Sequence, residues 1–145
     1  MTDGPDVEIL IPPKPDYVAL VRHVIGATAR LAGLDPDSVE TAKLAVSEAC
    51  TNAVVVTARA KREVPVEVTA NVRGDRMVIL VGDRGEHAEP AEIVEEIEPS
   101  SLDFSFERGL SLPLIQGLVD EVDLSERDGG GTLVTMTILE GPPID

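Results

Sequence analysis

Glu48 and Asn52 are the residues of this chain best suited to chemistry, because each sets a polar group into a segment that packing alone would make apolar. They sit in Ser47-Glu48-Ala49-Cys50-Thr51-Asn52-Ala53, and the stretch from Leu44 through Val56 is otherwise almost wholly small or apolar. Their spacing puts both on one face of a helix. A carboxylate in an apolar helix must find a partner or shift its pKa. A carboxylate beside an amide oxygen can act as a general base next to a ligand for a hard cation. A satisfied polar pair at a helix edge explains the same heptapeptide without chemistry, and the heptapeptide by itself leaves both open.

Three further features follow in order along the chain. Asp83 and Gly85 stand where an apolar strand ends, Gly109 opens a helix after a long acidic stretch, and Gly129-Gly130-Gly131-Thr132 precedes the last strand. Each is common alone, since Asp-x-Gly often closes strands and glycine runs usually make hairpin turns. Their order and spacing are what give them weight.

The elements that must position these residues read as one domain over 1–145. Val7–Ile11 is a short strand closed by Pro12-Pro13. Pro15 and Asp16 open a first helix whose apolar positions Val18, Val21, Val24, Ile25, Thr28 and Leu31 keep the helical period, with Gly33 placed to stop it. Asp35 as N-cap and Pro36 at the first helical position start the second helix, which carries Glu48 and Asn52 and runs to about Ala60. Val64, Val66, Val68, Ala70 and Val72 alternate with mostly polar neighbours as a half-buried strand, and Gly74-Asp75 is a two-residue hairpin turn. Met77–Val81 is an unbroken apolar run, expected to be a strand buried on both faces.

From Glu86 the pattern dissolves into glutamates and prolines, so residues from about 86 to 108 are expected to form a lid or a plain acidic insertion. Gly109–Val119 reads as a third helix, with Pro113 tolerable only in its first turn. Val122 and Leu124 mark another strand. The last strand, Thr132–Leu139, has Val134, Met136 and Ile138 on one face, and the tail from about 141 to 145 is expected to be loose. Hairpins imply mostly antiparallel pairing. The expected fold is an α+β two-layer sandwich, a mixed but mostly antiparallel sheet with three helices on one face.

Composition narrows the function classes. An apolar content of 43% supports a real core, and with aromatics at 2% it must be built from Val, Leu, Ile and Ala. A net charge of −15 argues against direct nucleic-acid binding, because phosphates would be repelled. The single Cys50 excludes an internal disulfide and a four-cysteine zinc site. No apolar run approaches the roughly 20 residues of a membrane span. The acidic N-terminus lacks the apolar core of a signal peptide, so the expectation is a cytoplasmic protein with no membrane partner.

Taken together, these motifs resemble the anti-sigma factor serine kinases of the RsbW type, within the ATPase superfamily that includes DNA gyrase, histidine kinases and MutL. Leu44-Ala-Val-Ser-Glu-Ala-Cys-Thr-Asn-Ala-Val54 is similar to the family's N-box and is the most specific match. Val81-Gly-Asp-Arg-Gly85 resembles the adenine-binding box, Arg108-Gly-Leu-Ser-Leu112 the second glycine box, and Asp120-Glu-Val122 with Gly129-Gly-Gly-Thr132 the closing elements.

The resemblance implies a Bergerat-type fold binding ATP and Mg²⁺. It implies Asn52 as metal ligand, Glu48 as catalytic base, and Asp83 as acceptor for the adenine amino group, with Gly85 admitting the base and Thr132 bonding its edge. Arg108, Gly109, Leu110 and Ser111 would face the phosphates at a helix N-terminus. Implied partners are a sigma factor, a STAS-domain anti-anti-sigma antagonist, and a second copy in a homodimer.

Among the departures from the family pattern, two fall in the glycine boxes. His87 stands where the first box usually has glycine, and Ser111 replaces the second glycine of Gly-x-Gly. They favour an alternative, a degenerate anti-sigma binding module with weak or lost kinase activity. A further alternative is a histidine-kinase catalytic domain acting in trans.

Overall fold

The computed structural model describes residues 4–60, 63–74, 76–83, 111–128 and 130–139, with the backbone alone at 111 and 112. The expected lid, Gly85, Arg108, Gly109, Leu110, His87 and the tail lie outside the described residues.

The chain opens with β1 (Val7–Ile11) and a 3₁₀ turn at Pro15–Tyr17 that leads directly into α1 (Val18–Leu31). Val21, Ile25 and Ala29 make the buried stripe of α1. Leu31 keeps the helical period but is 90% exposed, because it falls in the last turn as the helix leaves the core. Gly33 then adopts a φ of 86°, a left-handed conformation that glycine takes without strain and that stops the helix.

Asp35 caps α2 (Pro36–Arg59), its Oδ1 accepting the Ser38 N–H at 2.7 Å, and Pro36 occupies the first position. This 24-residue helix buries Val39, Ala42, Ala45, Val46, Ala49, Cys50, Ala53 and Val54 along one continuous stripe. Small side chains let α1 approach closely: the stem of Lys43 lies against Gly26, where an added Cβ would sit 3.0 Å from Lys43 Cδ.

The sheet comprises β1, β2 (Val66–Arg73), β3 (Arg76–Gly82), β4 (Glu121–Glu126) and β5 (Thr132–Leu139) in the order β1-β2-β3-β5-β4, with every pairing antiparallel. Register aligns Val68 with Val81 and Val81 with Val134, and Ala70 with Ile79 and Ile79 with Met136. Those residues are buried and share one core with Val21, Ile25, Val46, Val54 and Ile115 of the helices. The third helix, α3 (Ser111–Leu118), packs on α2 and carries Pro113 in its first turn, as expected.

One expectation changes here. β3 is central, yet it is not buried on both faces. Met77, Ile79 and Val81 are enclosed, whereas Val78 and Leu80 on the opposite face are only half-buried. All the described helices cover a single side of the sheet, so the outward side of even its central strand meets solvent.

Candidate functional site

Glu48 and Asn52 lie at the margin of the α2 stripe rather than within it. Both are half-buried. On the helical period they occupy the margin opposite Lys43 and Ser47, which face α1. At the α1 margin Arg22 Nη1 donates to Ser47 Oγ at 3.5 Å, and Ser47 Oγ donates back to the Lys43 carbonyl at 2.7 Å. The polar residues of the heptapeptide therefore divide. Ser47 belongs to the helix–helix seam, while Glu48 and Asn52 stand clear of it.

Asn52 Oδ1 is buried and has no hydrogen-bond partner among the described residues. Thr57 Oγ1 shares that property, but Thr57 is wholly enclosed at the centre of the stripe, whereas Asn52 is at its edge beside Glu48. A buried amide oxygen without a donor is an unfavourable arrangement by about 1–3 kcal/mol. An amide oxygen is also a type of ligand that hard cations take. Cys50, one residue from the same stripe's centre, is buried, and desolvation pushes its thiol up to about 12, so it packs as a small hydrophobe.

Asp83 continues the inward parity of Met77, Ile79 and Val81, and is 5% exposed. Its backbone N–H donates to the carbonyl of Thr132 at 3.0 Å. Thr132 continues the inward parity of Val134, Met136 and Ile138. The carboxylate and the hydroxyl thus stand side by side at one end of the sheet, on the face that α2 covers. Ser111 begins α3, which packs against α2. Of the residues singled out in the sequence, Glu48, Asn52, Asp83, Thr132 and Ser111 fall on elements packed around α2.

Sequence reasoning did not find Arg127. It lies just after β4, its side chain is 15% exposed, and Nη2 reaches Glu67 Oε2 at 2.5 Å and Oε1 at 3.1 Å. Nη1 donates to the backbone carbonyl of Asp83 at 3.3 Å. The guanidinium crosses the sheet over Gly82, where any Cβ would collide with it. A lone cation within the acidic run Asp120–Asp128 was the available signal.

Residues 11–138 match the family described as Histidine kinase-like ATPase domain. The serine-protein kinase RsbW of Bacillus velezensis is 33% identical over 143 residues, covering 96% of this chain and 89% of the relative. That of Bacillus pumilus is 36% identical over 129 residues, covering 85% and 80%. The chain belongs to the RsbW family of serine-protein kinases. It is accordingly a serine/threonine-protein kinase built on an ATPase fold. Two solved structures share that fold. The RsbU and RsbW domains of a Mycobacterium tuberculosis protein superpose with a TM-score of 0.70 at 21% identity, covering 94% of this chain and 33% of that one. The SiaB-SiaC complex from Pseudomonas aeruginosa gives 0.69 at 13%, covering 92% and 89%. Among the described residues no helix is long and apolar enough to cross a membrane.

Proposed function

We propose that this kinase binds ATP with Mg²⁺ between α2 and the β3/β5 end of the sheet, holds a sigma factor inactive, and phosphorylates a serine or threonine of a STAS-domain anti-anti-sigma antagonist. The observation that carries the reading is the buried, unpartnered Asn52 Oδ1, one helical turn beyond Glu48. The family relationship to serine-protein kinases supports the reaction class.

Asn52 gives its amide oxygen to the cation. When bound, Mg²⁺ neutralises phosphate charge as it develops during transfer. Glu48 orients the attacking hydroxyl and accepts its proton as the oxygen bonds to the γ-phosphorus and ADP departs. Asp83 accepts from the adenine amino group, and the carbonyl of guanine at that position would meet its negative charge. Thr132 supports the same base edge. Gly85 and the segment from Arg108 through Ser111 complete the adenine and phosphate sides of this assignment. The new phosphate on the antagonist adds charge to the kinase–antagonist interface and releases it. A homodimer is the assembly proposed for the free kinase.

Incubation with a STAS-domain antagonist and γ-labelled ATP tests this function. Label is expected on a serine or threonine of the antagonist, with Glu48→Ala reducing transfer at least a hundredfold, on the order of a lost general base. Label transfer by Glu48→Ala at the wild-type rate would overturn the assignment of the base, and absence of transfer by the wild-type protein would overturn the reaction.

A further inference from the structure

We infer that Arg127, paired with Glu67 across Gly82, is a positioning residue that sets the backbone of Asp83 and thereby the kinase's selection of adenine over guanine. This rests on the nucleotide reading of Asp83 given above.

Both backbone polar groups of Asp83 are held by the β4–β5 hairpin. Its N–H donates to the Thr132 carbonyl at 3.0 Å, and its carbonyl accepts from Arg127 Nη1 at 3.3 Å. The hairpin is itself braced, with Arg127 N–H donating to the Gly131 carbonyl at 2.9 Å and Gly130 N–H to the Arg127 carbonyl at 3.0 Å. From that base the Arg127 side chain runs over the outer face of the sheet to Glu67 on β2. Glu67 is the register partner of Gly82, so the ion pair spans the sheet directly behind the residue preceding Asp83.

Three features separate this arrangement from an ordinary surface ion pair. The guanidinium is largely enclosed, and both its terminal nitrogens are engaged. A planar fork of this kind loses less freedom per hydrogen bond than a lysine ammonium would. The position it crosses is a glycine, and a side chain there would push the guanidinium away.

Arg127 is on the outer face, and among the described residues its side chain bonds only Glu67 and the Asp83 carbonyl, neither of which is proposed to act in phosphoryl transfer. Its influence passes through the Asp83 backbone, which fixes where the inward carboxylate points. Loss of the clamp therefore alters base recognition and leaves the α2 chemistry in place. Lysine at 127 supplies charge to Glu67 but cannot also hold the Asp83 carbonyl in the same fork.

The test measures equilibrium dissociation constants for ATP and GTP, by competition against a fluorescent adenine nucleotide, for wild type, Arg127→Ala, Arg127→Lys, Gly82→Ala and Asp83→Asn. Arg127→Ala is expected to weaken ATP binding about tenfold while GTP binding changes little, so the preference falls, a shift on the scale of one charge-assisted hydrogen bond. Gly82→Ala is expected to reproduce this by displacing the guanidinium, and Arg127→Lys to restore only part of the preference. In the Asp83→Asn background the Arg127→Ala change is expected to add nothing to discrimination. Should Arg127→Ala fail to fold, the lysine and Gly82→Ala variants carry the same readout. An unchanged ATP/GTP ratio in the folded variants, or equal loss for both nucleotides, would overturn the clamp. Failure of the wild-type protein to bind ATP would instead overturn the nucleotide reading, and the clamp's role with it.

Discussion

The N–H of Asp83 and the carbonyl of Thr132 are joined at 3.0 Å, a backbone bond that carries the β3–β5 pairing one residue past Gly82 and Leu133. It brings two residues 49 positions apart onto the same inward edge of the sheet. Neither Asp-x-Gly nor a glycine-rich turn means much alone. Joined this way, the carboxylate and hydroxyl form a polar edge with hydrogen-bonding capacity for a base.

Asp83→Asn tests that edge. The amide keeps an acceptor oxygen but loses the charge, and charge-assisted hydrogen bonds are roughly twice as strong as neutral ones. It also gains N–H donors that can meet the carbonyl of guanine. The expected result is ATP affinity lower by about tenfold, together with measurable GTP binding. Competition titration reads both, and an unchanged preference for ATP would rule out Asp83 as the base-reading group.

Asp35 sets where α2 begins, and hence where Glu48 and Asn52 fall on the helix. Its Oδ1 accepts from Ser38 N–H at 2.7 Å. Asp35→Ala removes the cap and is expected to lower unfolding free energy by about 1 kcal/mol, with Asp35→Asn retaining most of it. Urea unfolding followed by circular dichroism measures the difference. Equal stability of the alanine variant would show that the cap contributes nothing.

Acid sensitivity is expected at the β1 edge of the sheet. Asp6 Oδ2 accepts the Val72 N–H at 2.8 Å and pairs with Arg73 at 3.1 Å. The Val72 hydrogen bond is the main cause that holds its carboxyl below the ordinary value of 3.8, with partial desolvation opposing and Arg73 reinforcing. Because the folded state favours the carboxylate, this contribution is complete above 3.8 and lost as pH falls through the lower folded value. The Val72 amide resonance is expected to titrate with a midpoint below 3.8 and to stop titrating in Asp6→Asn. A midpoint at or above that value would contradict the assignment.

The sequence was most legible where a rule is local. Asp35 and Pro36 announced the start of α2, and alternation along Val66, Val68 and Ala70 gave the inward face of β2. Met77–Val81 misled because a continuous apolar run cannot report which of its two faces a helix covers. Arg127 was invisible for another reason: its partner Glu67 lies 60 residues away, and no local pattern encodes a side chain that reaches past two intervening strands, β5 and β3. Gly82 stood out in the sequence only as one position of Val81-Gly-Asp-Arg-Gly85, although its missing side chain is what admits the guanidinium.

Asn52 gives the sharpest separation of stability from function. Its Oδ1 is buried without a donor, an arrangement that disfavours the folded state by about 1–3 kcal/mol. Alanine removes the orphaned acceptor and is also the better helix former by about half a kcal/mol. Some packing is lost with the side chain, but Asn52 is only half-buried, so that loss is the smaller effect. Asn52→Ala is therefore expected to leave the ligand-free protein as stable as wild type or more stable by about 1 kcal/mol. The same substitution is expected to abolish the Mg²⁺-dependent part of ATP binding. A residue kept for packing would show the opposite, with stability falling and metal dependence unchanged. Thermal melts of the free protein beside calorimetric titrations of ATP, with and without Mg²⁺, distinguish the two outcomes. A destabilised variant that still binds ATP more tightly with Mg²⁺ than without would remove Asn52 from the cation site.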